Sequence, residues 1–400
     1  MSSTRTFPRL LVATEFAPNS PGGGPSVVRQ MLRGWPTERL FWWSCHPEMS
    51  QRFGQHVAGH QAACFPNRLY PNRRLARQKS WLLEQFWVPR AVGHFKKTFQ
   101  AFKPEVVWTV PHLWSIPVLA RGLPSTGIRY HASVHDYPDA WSAVTRHGLT
   151  RSARFAAQLD AIYAGATTRD AICAAMVEDL RKRTGLPGGI NRAGLEAADL
   201  EFLQKEPLIV TERLRIAYAG TILVEDEFAF FAACLGQVRH QVNRPLTLEF
   251  WGAHSYRDQP WFQRDWMLEH GNLPESDLTS ALRTCSWGAA PMALHDRDPR
   301  YNRYSLPTKF ISYLAAGLPI ITLGHPESSV AKMAAAYPVG LLQTSASAAE
   351  FCARLKEAFG HRAPAAVFRQ TMLRCATMEF DADRMRTALW ENFFRCAWGG

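Results

Sequence analysis

No apolar run in this 400-residue chain approaches the roughly 20 residues that a helix needs to cross a bilayer. The run nearest the start, Leu10-Leu11-Val12-Ala13, is too short for a secretory signal, so a cytoplasmic location is expected. The eight cysteines (Cys45, Cys64, Cys173, Cys234, Cys285, Cys352, Cys375 and Cys396) contain no Cys-x-x-Cys pair. That spacing spells neither a zinc site nor a redox motif, and leaves free, mostly buried thiols as the expectation. Internal repeats and low-complexity tracts are lacking too, which excludes solenoids and long disordered tails. The second half lacks net charge: residues 206–400 hold 20 Lys and Arg against 20 Asp and Glu.

The whole excess of +12 therefore falls in residues 1–205, with 26 Lys and Arg against 14 Asp and Glu. A basic first half points to an anionic partner there. The length exceeds what one core usually fills, and 46% apolar residues mark a globular chain, so two domains are expected.

Apolar runs at 10–13, 40–43, 106–110 and 130–134 predict buried strands, and the patterns at 26–35, 82–99 and 154–163 predict helices between them. The alternation restarts at 214–219 with strands also at 246–251 and 287–292, and helices at 228–242 and 277–284. The fold class expected is α/β, two Rossmann-like domains facing each other across a cleft, with C-terminal helices. The divisions are 1–200, 207–362 and 363–400, the last expected to pack back toward the first domain.

Residues 304–323 are the most informative. Ser305 or Thr308 can cap a helix there, Pro307 suits its first turn, and Gly317 suits its end. Ile320, Ile321 and Leu323 then read as a buried strand. A helix start with Lys309 one residue in forms a seat for phosphate, the alternative being an ordinary surface lysine. Gly22, Gly23 and Gly24 follow the first strand, where backbone can approach a ligand closely or simply turn. His135 and Asp136 end the predicted strand at 130–134, and an imidazole there can orient an acceptor or carry its proton.

Taken in order, Tyr218-Ala219-Gly220-Thr221, Phe250-Trp251-Gly252, His270–Pro274, Pro307-Thr308-Lys309 and Tyr313–Pro319 resemble the donor domain of GT-B glycosyltransferases. The Gly22–Gly24 loop, His135-Asp136 and Ala174–Leu180 resemble the other domain of the same fold. The likeness is to the retaining family 4, or group 1, superfamily and spans most of the chain. It implies a hexosyltransferase that moves sugar from a nucleotide-sugar donor to a glycan or lipid-linked acceptor. Polysaccharide or glycoconjugate synthesis is the implied setting, with no metal and no other cofactor.

By the same resemblance, Gly22, Gly23, Gly24, Gly220, Thr221, Arg303, Ser305, Thr308, Lys309 and Ser312 are candidate donor-binding residues, and His135 and Asp136 candidate catalytic ones. The chain departs from the family at the paired glutamates, replaced by Tyr304 and Ser312. It departs again where an arginine and a lysine usually hold the diphosphate: Thr221 and the acidic Glu225-Asp226-Glu227 stand there. The alternative reading is a non-catalytic binding or scaffold protein of the same fold.

Residues 68–103 interleave Arg68, Arg73, Arg74, Arg77, Lys79, Arg90, Lys96, Lys97 and Lys103 with Trp81, Phe86, Trp87, Phe95 and Phe99. That mixture suits peripheral contact with an anionic membrane or a lipid diphosphate, or else a core face backed by solvated charge. No recognition motif accompanies it, which argues against nucleic acid.

Overall fold

The computed structural model describes residues 6–20, 22–47, 57–71, 75–138, 149–205, 212–297, 299–361 and 363–399. Arg73 and Arg74 lie outside them. The chain forms two compact units, each built on a parallel sheet. Unit 1 comprises Met1–Arg192, Asp298–Tyr304 and Arg384–Gly400; unit 2 comprises Ala193–Arg297 and Ser305–Asp383.

The strands of unit 1 are β1 (Leu10–Thr14), β2 (Leu40–Ser44), β3 (Gly59–Ala62), β4 (Val106–Val110), β5 (Tyr130–Val134), β6 (Thr168–Ala171) and β7 (Gly189–Ile190). They lie in the order β3-β2-β1-β4-β5-β6-β7. Every residue of β1, β4 and β5 is buried, as continuous apolar runs require when helices cover both faces.

Trp43, Phe95, Trp114 and Phe155 fill one face of this sheet. The helix Ala382–Trp398 covers the other, where Phe393 meets Trp108 at 5.4 Å and His131 at 5.6 Å between ring centroids. Under it the buried His131 binds the Asp170 carboxylate and the Thr168 hydroxyl, each at 2.8 Å. The Trp390 indole donates to the Met31 carbonyl at 2.9 Å and so ties that helix to the first one.

The short helix Pro299–Tyr304 also belongs to unit 1, although 298–304 lies deep in the second half of the sequence. Arg300 pairs with Asp179 at 2.8 Å and stacks 4.6 Å from the Tyr137 ring, while Tyr304 donates to the same carboxylate at 3.2 Å. Burial works to raise the Asp179 pKa, but the Tyr137 hydrogen bond and two guanidinium groups win and lower it.

Unit 2 holds β8 (Leu214–Ala219), β9 (Leu246–Trp251), β10 (Met267–Gly271), β11 (Trp287–Pro291), β12 (Ile320–Leu323) and β13 (Gly340–Gln343), ordered β10-β9-β8-β11-β12-β13. In both units the chain works outward from its first strand and then jumps to that strand's other side. Such a reversal opens a crevice at the carboxyl ends of the strands. The helix Pro364–Glu379 packs within unit 2, where Arg369 donates to the Leu203 carbonyl at 2.7 Å. Of the residues grouped as 363–400 by sequence, only 384–400 fall in unit 1.

Gly288 in β11 is required by packing, since a Cβ there would lie 2.3 Å from the Tyr313 ring. Gly288→Ala is expected to lower stability by about 1–3 kcal/mol in urea titration, as overpacking does. An unchanged midpoint would contradict this packing.

Candidate functional site

The crevice of unit 2 is organised by one phenol. β11 and β8 pair at Trp287↔Ile216 and Gly288↔Ala217. Beyond those pairs the Tyr313 hydroxyl stands between the strands. It accepts from the Ala219 N–H at 2.9 Å and donates to the Ala289 carbonyl at 3.0 Å. Burial raises its pKa, so the hydroxyl keeps the proton it donates. Tyr313 belongs to the helix Thr308–Ala315, whose Phe310, Ile311 and Leu314 are also buried. The sheet therefore fixes where this helix starts.

Lys309, in the first turn, reaches back across the end of β8. Its Nζ donates to the Tyr218 hydroxyl at 2.6 Å and to the Thr221 carbonyl at 3.4 Å, and lies 3.9 Å from the Tyr218 ring centroid. Tyr218 in turn donates to the Thr221 carbonyl at 2.9 Å. Among the described residues no carboxylate pairs with Lys309, and burial lowers its pKa to about 7. A partly buried amine at a helix N-terminus is stabilised in its charged form when an anion sits beside it.

The expected cap is not made. Pro307 stands at the N-cap itself with no side-chain hydrogen bond, so neither Ser305 nor Thr308 closes the helix start. Ser305 instead offers its carbonyl to the Ser329 hydroxyl, and Ser312 donates to the Thr308 carbonyl at 3.3 Å. Gly317 does end the helix, at φ 70°. Gly220 adopts φ 95°, turning the chain so that Thr221 comes under Lys309. The acids Glu225, Asp226 and Glu227 serve the fold. They occupy the first turn of the helix Glu225–Arg239, and Glu227 accepts from the Leu294 N–H at 3.2 Å.

Gly22, Gly23, Gly24, His135, Asp136 and Arg303 lie in unit 1, whereas the group around Lys309 lies in unit 2. The glycine run is not a free loop. Gly22 is the N-cap and Gly23 and Gly24 form the first turn of the helix Gly23–Met31. Arg303 sits on the short helix anchored to Asp179.

His135 follows β5 directly and is 8% exposed; burial lowers its pKa, against opposing pulls from Asp170 and Asp136. The Asp136 carboxylate, 58% exposed, lies 3.7 Å from His112. The buried Glu15, just after β1, accepts from the Ser115 N–H at 2.7 Å and from His46 at 3.1 Å. Glu15, His46 and His112 thus join His135 and Asp136 at the carboxyl ends of β1, β2, β4 and β5. Single residues following short strands carry no motif, so sequence reasoning misses those three. It also misses the hydroxyls of Tyr218 and Tyr313, which read as apolar positions.

No family model and no curated protein sequence matches the chain. Solved structures do. The α,α-trehalose-6-phosphate synthase of Burkholderia multivorans is similar over 98% of this chain and 97% of its own, with TM-score 0.65 and 12% identity. Sucrose-phosphate synthase of Thermosynechococcus elongatus is similar over 97% and 99%, with TM-score 0.68 and 14% identity. The fold is GT-B. The Anabaena protein HepE, solved with UDP-glucose, has the same fold over 96% and 98%, at TM-score 0.66 and 11% identity.

The Lys309 amine makes a pH prediction. Below about pH 7 it is protonated whether the chain is folded or not. Between there and its ordinary 10.5 only the unfolded chain keeps the proton, so folding gains as pH rises through that window. Urea midpoints measured across that window should rise for the wild type relative to Lys309→Met. Parallel curves for the two proteins would remove the case for a buried amine.

Proposed function

We propose that this protein is a nucleotide-sugar-dependent glycosyltransferase, of hexosyltransferase type and acting with retention. Its acceptor is a glycan or a lipid-linked glycan of polysaccharide or glycoconjugate synthesis. One observation carries the reading: the Lys309 amine, held over Tyr218 at the start of a helix, lacks a carboxylate partner among the described residues. The solved neighbours include two sugar-phosphate synthases and a protein bound to UDP-glucose, which agrees with a sugar-nucleotide ligand.

When the bond between the sugar and the diphosphate breaks, negative charge grows on the phosphate oxygens. A helix N-terminus and an ammonium already in place stabilise that charge more than they stabilise the ground state, and they need no metal. The arriving anion raises the pKa of Lys309 from about 7 and so recruits the proton it needs. Thr221 meets the Lys309 amine directly, and Thr308, Ser305, Ser312 and Gly220 keep a proposed role toward the donor. Gly22, Gly23, Gly24 and Arg303 remain proposed donor-binding residues.

At the family's glutamate positions Tyr304 is engaged by Asp179 and Ser312 by its own helix, so sugar and ribose are recognised without that acidic pair. In unit 1 the depressed pKa keeps His135 neutral near pH 7, fit to take the acceptor hydroxyl's proton, with Asp136 beside it.

Thermal-shift and calorimetric titrations with UDP-, GDP-, ADP- and CMP-linked sugars test the reading. At least one should bind, about tenfold or more weaker in Lys309→Ala, as loss of a charge-assisted hydrogen bond predicts. Affinity should also fall as pH rises above about 7 in the wild type only. His135→Asn should lower turnover by about 10²–10⁴ with donor affinity kept. Binding without turnover would favour the scaffold reading; no binding at all would sink both.

A further inference from the structure

The helical run that opens with Ala76–Leu82, widens into a π-helical turn at Leu83–Trp87 and continues as Val88–Phe102 sorts its aromatic side chains into two groups. Trp87 and Phe95 are buried in the core of unit 1. Trp81 and Phe86 are 52% and 67% exposed, with ring centroids 6.3 Å apart. Core packing therefore accounts for most of the aromatic pattern, with Phe102 also buried and Phe99 packed on the core, and leaves Trp81 and Phe86 facing water.

The exposed charges that this run itself supplies are of one sign. Arg77 stands four residues before Trp81 and Arg90 four residues after Phe86, places that share a helix face. Arg77, Arg90 and Lys97 are all exposed. The only acid in residues 68–103 is Glu84. It is buried and held by Arg151 at 2.8 Å and by Arg154, so it offers nothing to the surface.

We propose that this face docks on an anionic lipid bilayer, with Trp81 and Phe86 entering the headgroup layer and Arg77, Arg90 and Lys97 meeting lipid phosphates. Aromatic side chains flanked by positive charge are what an interfacial helix presents. Each basic residue near such a surface adds attraction that salt removes. A single-stranded nucleic acid fits less well, because its bases stack on separated ring faces, and these two rings meet edge to face at 85°. The inference is independent of the sugar-nucleotide reading, since vesicle binding requires no donor.

The full chain would be sedimented with vesicles of phosphatidylcholine alone and of phosphatidylcholine mixed with phosphatidylglycerol, at low and high salt. Binding is expected only to the mixed vesicles and to weaken with salt. The double variants Trp81→Ser/Phe86→Ser and Arg90→Glu/Lys97→Glu should each lose about tenfold or more in partitioning. Their urea midpoints should match the wild type, because the replaced side chains are exposed. Absence of binding to the mixed vesicles, equal binding to neutral ones, or undiminished binding by both variants would overturn the proposal. So would binding of single-stranded RNA through this face with no vesicle binding.

Discussion

The hydroxyl of Tyr313 is the contact on which the second unit's crevice depends. Where the strand order reverses, between β8 and β11, the two parallel strands part at their carboxyl ends, and the parting leaves an N–H on one strand and a carbonyl on the other without each other. Both groups are buried, so leaving them unsatisfied would cost several kcal/mol together. The phenol bridges them with one oxygen, accepting at 2.9 Å and donating at 3.0 Å. Because that oxygen is rooted in the helix Thr308–Ala315, opening the sheet and positioning the helix are one event. Gly288 completes the arrangement by leaving room for the ring.

Lys309 inherits its placement from this bridge. Its ammonium loses hydration without gaining a carboxylate, a net cost to the folded chain that an anionic ligand would reverse. Carboxylates in each unit have other employment: in unit 2 Glu227 closes the turn after β11, and in unit 1 Asp179 gathers Tyr137, Arg300 and Tyr304. These carboxylates thus serve structure, and among the described residues none pairs with Lys309.

Much of this was legible in the residues. β1, β2, β4, β5, β8, β9, β11 and β12 are largely buried strands, and mostly apolar runs announce them, broken by Arg215 in β8 and by Thr247 and Glu249 in β9. The outer strands β3, β7 and β10 are short or partly exposed, with sequences such as Gly59-His60-Gln61-Ala62, and no hydrophobic period marks them. The helix Gly23–Met31 begins at residues whose low helix propensity argues for a loop, although a first turn tolerates them.

At the site, Lys309 and the Gly220-Thr221 turn were legible because helix punctuation and a strand end are local signals. The Tyr218 and Tyr313 hydroxyls were not, since a tyrosine in an apolar stripe looks the same whether its ring or its oxygen matters. Asp179 and Arg300 were invisible as a pair, being 121 residues apart in sequence.

The helix Ala382–Trp398 has a consequence for biosynthesis. It roofs the sheet face that carries His131 and Asp170, yet it follows every strand of both units in sequence. A ribosome releases the N-terminal strands long before it releases their lid. Unit 1, although its strands precede those of unit 2, cannot close its second layer until Ala382–Trp398 has been made, whereas unit 2 has all its strands by Gln343. The order of synthesis and the order of completion therefore run in opposite directions, and the nascent first sheet must wait with one apolar face uncovered.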